Sequence, residues 1–363
     1  MRVAVLGIGE MGKSVIQHLT DCEIDRIIAF DISSNVLDSV RKTGNISVSS
    51  NLDTVLADDK VKLVFVTASN DAHKDLVRKS IRAGKSIMCE KPIATTLPDA
   101  YEMVNAAEEG KTFLQIGFEA RYSKLYTKVK EWIDASLLGR IVNIHCSYVV
   151  SEFCGRDSWR VKKDSGGSMV GEKLSHYIDL PRWWVGSDIR DVYAVCAPNV
   201  VPYFEVHDNY NITCTHHDGT ISHINFMMGP ASTFNGDPLR NTVSQQRNDG
   251  HELRYIVVGT KGAAQADVFN RAIKRWEFGE CKNGFTCNLV EETTWPSEED
   301  HFYFHNTTDQ TKDIVHRVSR GLPPKTTIRD AFETMKVCFA VDKSVNEGKI
   351  IRIDSLNSKF NEE

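Results

Sequence analysis

The stretch RVAVLGIGEMG, residues 2–12, decides how the first part of this chain folds. A short, mostly apolar run typical of a buried strand leads into Gly7, Gly9 and Gly12, and the residues that follow predict a helix. In such a unit the first glycine permits the tight turn, the second lets a pyrophosphate approach, and the third lets helix and strand pack closely. The free N–H groups at the helix start favour phosphate oxygens. The stretch therefore predicts a dinucleotide-binding turn.

A second predicted strand, DRIIAFD, ends in Asp31. It lies about twenty residues beyond the glycines, where a carboxylate accepts hydrogen bonds from the adenosine ribose hydroxyls. The next residues, Ile32, Ser33 and Ser34, include no arginine to meet a 2′-phosphate, which the carboxylate also repels. NAD is therefore predicted as the cofactor in preference to NADP.

Further strands are predicted at 46–49, 61–66 and 85–89, with helical segments between them. This alternation predicts an α/β domain with a parallel sheet and helices on both faces. Ligands of such sheets bind beyond the carboxyl ends of the strands. Lys91 stands at one such end, and Pro92 restricts it to extended conformations. We expect Lys91 to hydrogen-bond a substrate hydroxyl and exchange its proton; the alternative is a solvated loop lysine.

A second candidate group lies in GGSMVGEKLSHYIDLPRWW, residues 166–184. Two glycines precede a predicted helix in which Glu172 and His176 are four residues apart. That spacing places a carboxylate and an imidazole on one face of an α-helix. An imidazole is the commonest acid–base group, and a carboxylate one turn away can orient it. The alternative is an ion pair on the helix surface.

Together these motifs make the chain resemble the glucose–fructose oxidoreductase / inositol dehydrogenase / MocA-like (Gfo/Idh/MocA) family over essentially its whole length. Besides the glycine turn and Asp31, the resemblance rests on TASNDAH (67–73), EKPIA (90–94), GFEARYSKLY (117–126), LGRIVNIHCSY (138–148), DSWRVKKDSGGSMVGEKLSHYIDLPRWWVG (157–186), VGTKGAAQAD (258–267) and RGLPPKTTIRDAFETMKVCFAVDKSVNEGKIIRI (320–353).

The resemblance implies two domains. An NAD-binding Rossmann domain is expected over 1–120, and an α+β substrate-binding and oligomerisation domain over 121–325. A helix around 326–348 is expected to pack back near the first domain. In the second domain, runs such as residues 140–153 and 208–228 alternate in twos and are rich in β-branched and aromatic residues. They predict a large, mostly antiparallel open sheet.

The resemblance also implies the site residues. Lys91 and His176 are expected to handle the proton of the substrate hydroxyl, with Glu172 as a third catalytic-site residue. The family more often has aspartate at position 172, and Lys173 and Ser175 are further departures. The expected cofactor contacts are Gly7, Gly9, Glu10, Met11, Gly12, Asp31, Ser33, Thr67, Asn70, His73, Glu90 and Lys91. The expected substrate contacts are Arg121, Tyr122, Trp159, Arg160, Lys162, Glu172 and His305.

Several of these residues have a structural alternative. His73 opens a predicted helix and can be a first-turn structural residue, and Arg121 and Tyr122 can serve packing. No metal site is predicted. His216 and His217 are neighbours on a predicted hairpin, so their side chains point to opposite faces. The aromatic-rich run that contains His305 is not clearly helical.

Composition excludes several function classes. The chain has 363 residues, a formal net charge of -5, 41% apolar and 26% charged residues, which gives no reason to expect nucleic acid or an acidic membrane as partner. No signal peptide is recognised and no apolar run approaches the ~20 residues of a membrane span. The nine cysteines are scattered without a CxxC. Reduced thiols and a cytoplasmic location are therefore expected.

The resemblance implies an NAD-dependent oxidoreductase that acts on a ring hydroxyl of a sugar, glycoside or cyclitol, assembled as a homodimer or homotetramer through the open sheet. One alternative is an NAD-dependent glycosidase that works by transient C3 oxidation and elimination, for which Glu172 offers an additional acid. A less favoured alternative is a non-catalytic regulator that senses a dinucleotide. Retention of both Lys91 and His176 counts against the regulator.

Overall fold

The computed structural model describes residues 1–40, 45–152, 154–229, 231 and 250–359. The α-helices of these residues are α1 (Glu10–Leu19), α2 (Ser34–Val40), α3 (Leu52–Ala57), α4 (His73–Arg82), α5 (Leu97–Glu109), α6 (Lys124–Asp134), α7 (Lys163–Gly166), α8 (Ser175–Val185), α9 (Asp300–Tyr303), α10 (Thr307–Arg320) and α11 (Ile328–Glu347). In this part of the chain no helix combines the length and the apolar character that crossing a membrane requires.

The first sheet is parallel throughout and has the strand order β3-β2-β1-β4-β5-β6. Its strands are β1 (Arg2–Leu6), β2 (Arg26–Phe30), β3 (Ile46–Ser49), β4 (Val61–Val66), β5 (Ser86–Glu90) and β6 (Leu114–Gly117). The order reverses direction after β1, which brings the carboxyl ends of β1 and β4 together at the edge where ligands of such sheets bind. The predicted α/β class is confirmed.

Strand β6 was not predicted. It has only four residues, and the polar Gln115 interrupts its apolar pattern. The structure shows why a glutamine is tolerated there. Gln115 is fully buried, and its side-chain oxygen accepts a hydrogen bond of 2.8 Å from the backbone N–H of Lys325. The partner lies far along the chain, so the local sequence gives no sign of it.

The chain divides into two compact units, and the first comprises Met1–Glu119, Asp164–Gly167 and Thr307–Met335. Helix α10 therefore belongs to this unit, although residues up to 325 were predicted to belong to the second domain. The physical reason is apolar burial. Ile314 and Val315 of α10 lie in the same buried cluster as Val3 of β1 and Leu19 of α1.

The second sheet has nine strands in the order β14-β13-β12-β11-β7-β10-β9-β8-β15. They are β7 (Ile141–Val150), β8 (Ile189–Val195), β9 (Asn209–His216), β10 (Ile221–Met228), β11 (Glu252–Gly259), β12 (Gly262–Asp267), β13 (Ala272–Cys281), β14 (Gly284–Thr294) and β15 (Ile351–Arg352). All of these pairs are antiparallel except β7 with β10. The predicted mostly antiparallel sheet is confirmed.

The second unit comprises Ala120–Lys163, Ser168–Asn306 and Lys336–Glu363. Its core joins α6 and α8 to the sheet through buried aromatic residues. The indole N–H of Trp184 donates to the backbone oxygen of Tyr126 at 3.0 Å. The hydroxyl of Tyr255, on β11, donates to the backbone oxygen of Tyr177 at 2.8 Å. These bonds fix helix α8, which carries His176, against the sheet.

Candidate active site

At two positions of the glycine turn after β1, the neighbouring backbone leaves no room for a side chain. Gly7 has a φ of 95°, and a Cβ there would lie 2.6 Å from Cα of Ala68, at the end of β4. A Cβ on Gly12 would lie 2.0 Å from the backbone oxygen of Gly7. The hydroxyl of Thr67 donates to that oxygen at 2.7 Å. Only glycine fits at positions 7 and 12, and Thr67 fixes the turn between them.

Gly9 has different surroundings. Apart from its chain neighbours, no atom of the described residues lies within 4 Å of a Cβ built on it, and its backbone is extended, with φ of -68° and ψ of -164°. Gly9 stands directly before the ten-residue helix α1, which begins with the exposed Glu10 and half-buried Met11. Open space above a helix N-terminus, whose N–H groups lack intrahelical partners, fits a pyrophosphate.

Asp31 is held beside this turn. One carboxylate oxygen accepts from the backbone N–H of Ile8 at 2.8 Å and the other from that of Ser33 at 2.9 Å. Residues 32–40 contain neither lysine nor arginine. A fixed carboxylate with no cation in the following segment fits the ribose hydroxyls of NAD and disfavours a 2′-phosphate. The residues of the first unit therefore fit NAD.

His73 begins helix α4, which agrees with its structural alternative and not with a cofactor contact. It is fully buried, and its ring nitrogens lie 2.8 Å from the backbone oxygen of Pro92 and 3.2 Å from that of Ala68. Burial lowers the pKa of His73, and a neutral ring has one N–H, which we assign to the shorter bond with Pro92. Both ring nitrogens lie against backbone oxygens, so the ring offers no polar atom to a cofactor. We correct the assignment: His73 holds the turn that follows Lys91.

Asn70 is also nearly buried, at 4% exposed. Its side-chain amide donates to the backbone oxygen of Gly166 at 2.9 Å. It thereby ties the short segment Asp164–Gly167 to the first unit. That bond joins residues 96 apart in sequence, so no local pattern predicts it.

At the end of β5 stand Glu90 and Lys91. Glu90 is buried and Lys91 is half-buried, and the Lys91–Pro92 peptide bond is cis. Burial, followed by the charge of Glu119, raises the pKa of Glu90 to about 8. Glu119 was not predicted as a site residue. The available signal was its position two residues past the end of β6, at the same sheet edge as Lys91.

In the second unit, the helix that carries Glu172 and His176 is not uniformly α-helical. Val170–Leu174 forms a π-helical turn, and α8 begins only at Ser175. Because a π-turn bonds i to i+5, the α-helical rule that stacks residues four apart does not apply across it. The predicted regular helix was wrong for this segment, and π-turns are frequent at functional sites.

Each of the two residues has a close neighbour. Glu172 is 6% exposed and accepts a 2.9 Å hydrogen bond from Nε of Arg160. His176 is 1% exposed, and its ring centroid lies 5.6 Å from that of His305 at an angle of 75°. His305 follows the end of α9 at Tyr303, so it shares no helix with His301. The structure thus places Glu172 beside Arg160 and His176 beside His305, whereas the sequence predicted a pairing of Glu172 with His176.

Other predicted substrate contacts have structural partners. Two guanidinium nitrogens of Arg121 donate to the two carboxylate oxygens of the buried Asp179, each at 2.7 Å. The packing alternative for Arg121 therefore has direct support. Asp179 was not predicted as its partner, because the two residues lie 58 positions apart in the sequence. Tyr122 is 8% exposed, and its backbone oxygen accepts from Asn306 at 3.1 Å.

The remaining candidates lie near Glu172. The guanidinium carbon of Arg160 lies 4.5 Å from the centre of the Trp159 ring, which is within the range of a cation–π contact. Lys162 forms an exposed ion pair of 3.2 Å with Glu205. His216, weighed and rejected as a metal ligand, is buried with ring nitrogens 2.9 Å from the backbone oxygen of Ser187 and 3.1 Å from the hydroxyl of Ser222.

Comparison with known proteins agrees with this architecture. Residues 1–118 match the family model described as "Oxidoreductase family, NAD-binding Rossmann fold". Residues 126–265 match the model described as "GFO/IDH/MocA C-terminal domain". The two matches together span more than half of the chain.

Three relatives illustrate the similarity. Myo-inositol 2-dehydrogenase of Thermotoga maritima is 23% identical over 98% of this chain and 99% of that protein. Inositol 2-dehydrogenase of Salmonella typhimurium is 27% identical over 53% of this chain and 56% of that protein. A structure of levoglucosan dehydrogenase in complex with NADH and levoglucosan superposes with a TM-score of 0.78 at 17% identity, over 97% of this chain and 98% of that one.

The structural likeness shows the fold, and the two matched domains show the family. This chain belongs to the Gfo/Idh/MocA oxidoreductase family and has its NAD-binding Rossmann domain.

Proposed function

We propose that this protein is an NAD-dependent dehydrogenase that transfers a hydride between nicotinamide and a ring hydroxyl of a sugar, glycoside or cyclitol. The observation that carries the proposal is the half-buried Lys91 at the carboxyl end of β5, in the sheet whose glycine turn and Asp31 fit NAD. The names of the relatives support the substrate class, since they include a myo-inositol and a levoglucosan dehydrogenase.

Each residue has a separate role in this proposal. Gly9 and the start of α1 receive the pyrophosphate, and Asp31 accepts hydrogen bonds from the adenosine ribose. When bound, the nicotinamide ring supplies the site that accepts or gives up the hydride. Lys91 donates a hydrogen bond to the reacting oxygen and stabilises its developing charge. His176 takes the hydroxyl proton, and Glu172, fixed by Arg160, contacts the substrate.

The test is direct. Purified protein with NAD and a panel of sugars, glycosides and cyclitols should form NADH with at least one of them. Lys91→Ala and His176→Ala should each lower kcat by about 10²–10⁴-fold, as expected for loss of a proton-handling group. Lys62→Ala, at an exposed position of β4, is the control and should leave kcat unchanged. Failure of every polyol, under conditions where NAD binding is measured, contradicts the proposal.

The same assay separates the two alternatives. A glycosidase that oxidises and re-reduces its substrate would release the aglycone from a chromogenic glycoside while NADH does not accumulate. A dinucleotide-sensing regulator would bind NAD and show neither product. Under the proposed function, NADH accumulates in proportion to the oxidised polyol.

We also propose that the second sheet mediates a homodimer or homotetramer. Large apolar side chains are more than a third exposed on several of its strands: Tyr193, Val195, Ile221, Met227, Phe285, Leu289 and Val290. Exposed apolar side chains of this kind favour burial against another subunit. Light scattering in solution should give two or four times the mass of 40.9 kDa. A monomeric mass at micromolar concentration would contradict this assembly.

A further inference from the structure

The imidazole proposed as the base is almost completely enclosed by the protein. His176 is 1% exposed, yet it takes a proton from the substrate hydroxyl at every turnover. When a carbinol is oxidised, the hydrogen of the C–H bond leaves as hydride with the bonding electron pair. The O–H electron pair then completes the carbonyl bond, and the O–H proton stays on the base. A buried base must pass this proton on before it can act again.

His305 lies beside His176 and is partly exposed. The two ring centroids are 5.6 Å apart at an angle of 75°, and a ring nitrogen of His176 lies within 4.8 Å of one of His305. Two hydrogen bonds of about 2.8 Å that meet at one oxygen span a distance of this size. His305 is half-buried, so it reaches solvent where His176 does not. One water molecule or hydroxyl group can therefore bridge the two imidazoles.

Buried neighbours on both sides hold His305 in this place. Before it, Phe304 is 6% exposed, and its ring centroid lies 3.9 Å from that of His305. After it, Asn306 is fully buried, and its side-chain amide donates to the backbone oxygen of Tyr122 at 3.1 Å. Because close packing leaves few alternative positions, the backbone that carries His305 is fixed on both sides.

Helix α9, which precedes His305, is fixed as well. Arg271 donates from Nε and from a terminal nitrogen to the two carboxylate oxygens of Asp300, each at 3.1 Å. The indole N–H of Trp295 donates to the same carboxylate at 2.9 Å. The Trp295 ring stacks on that of Tyr303, with centroids 4.2 Å and planes 3° apart. Bidentate arginine–carboxylate bonds and stacked rings fix geometry closely, so the distance between the two imidazoles is set by the fold of the second unit.

We propose that His305 receives the substrate proton from His176 through one bridging water or hydroxyl group and releases it to solvent. This inference rests on the proposed function, in which His176 is the base. An imidazole suits this role because it exchanges a proton near neutral pH and has a nitrogen on each side of its ring. It can therefore take a proton at one nitrogen and release one from the other. His305 acts through His176, so its loss slows the return of the base to its neutral form.

Proton exchange of His176 tests this relay without any activity. NMR of protein labelled with ¹⁵N in its histidine rings measures how fast the ring N–H of His176 exchanges with solvent, and His176→Asn identifies the signal. In His305→Asn the exchange should slow by about 10²-fold, the usual lower contribution of a positioned proton-transfer group. His305→Gln, which also cannot carry a proton, should behave in the same way. His301→Asn, at an exposed histidine of α9, is the control.

Turnover tests the same role. With a polyol that the enzyme oxidises, His305→Asn and His305→Gln should have a lower kcat in dilute buffer. Added imidazole should restore it, because a small base can take the proton in place of the missing ring. The unaltered protein and His301→Asn should not respond to imidazole. A raised KM with a kcat that does not depend on imidazole is the result of a lost substrate contact, and it overturns the relay.

Failure of the relay and failure of the proposed function give different results. Unchanged exchange of the His176 proton in both His305 variants, together with NADH formation that imidazole does not affect, overturns the relay and leaves the dehydrogenase standing. Slowed exchange in a protein that oxidises no polyol overturns the proposed function and leaves the proton path between the two imidazoles standing.

Discussion

At the scale of single residues, the glycine turn shows how far a motif can be interpreted. The motif alone predicted a separate structural role for each glycine, and the surroundings of Gly7, Gly9 and Gly12 agree with those roles. The burial of His73 could not be predicted from a motif. Its partner, the backbone oxygen of Pro92, lies 19 residues further along the chain, so its burial depends on how α4 and β5 meet in the fold.

Gly9 provides a prediction at this scale. Because a Cβ at position 9 meets no atom within 4 Å in the described part of the chain beyond its neighbours, Gly9→Ala should fold normally and obstruct only the bound pyrophosphate. We expect its Kd for NAD to rise at least tenfold, which corresponds to about 1.4 kcal/mol. Fluorescence titration measures the affinity, and the Tm without cofactor should be unchanged.

The matched control is Gly155→Ala, at a glycine that also has open space around it but lies in the second unit. Its affinity for NAD should equal that of the unaltered protein. Equal affinities of the two variants would place the pyrophosphate elsewhere.

At the scale of elements, the strands of the first sheet followed from sequence because buried parallel strands form continuous apolar runs. The predicted strands at 46–49 and 61–66 coincide with β3 and β4. The π-turn did not follow, because its residues have the spacing of an ordinary helix. Strand β14 shows no apolar alternation for a different reason: its side chains are mostly exposed.

Helix α10 provides the prediction at this scale. Ile314 is fully buried in the core around β1 and α1, so Ile314→Ala leaves a cavity there. The free energy of unfolding should fall by about 2–5 kcal/mol, as for other buried Ile-to-Ala changes. His316→Ala, at an exposed position of the same helix, should change it by less than about 0.5 kcal/mol. Urea denaturation measures both, and similar losses would contradict the position of α10 in that core.

At the scale of the whole molecule, the sequence predicted one parallel and one mostly antiparallel sheet, and both are present. The parallel pairing of β7 with β10 was not predictable, because pairing order is set by packing rather than by the strands themselves. The candidate site was likewise predictable in part. Positions after strand ends were predictable, whereas partners distant in sequence, such as Glu119 for Glu90 and Asp179 for Arg121, were not.

The pH dependence of stability is the prediction at this scale. Asp342, in α11, is half-buried, and desolvation raises its pKa to about 6 against hydrogen bonds with Ser168 and Tyr210. Because the folded-state pKa exceeds the ordinary aspartate value of 3.8, this contribution to stability is full below about pH 4 and is lost as the pH rises through about 6.

Asp342→Asn removes that titration. The difference in Tm between the variant and the unaltered protein should therefore rise in favour of the variant from pH 4 to pH 6 and then level off. Scanning calorimetry across this range provides the measurement. Asp59→Asn, at an exposed turn, is the control. A difference that stays constant with pH would show that Asp342 is already ionised at pH 4.

The assembly of the first unit from three separate segments has a consequence for synthesis on the ribosome. All six strands of its sheet lie before residue 118, but Ile314 and Val315, which complete the apolar cluster, are translated much later. At a rate of about 5–20 residues per second, roughly 10–40 s pass between synthesis of the sheet and synthesis of that helix. We expect its uncovered apolar face to be a binding surface for chaperones during translation.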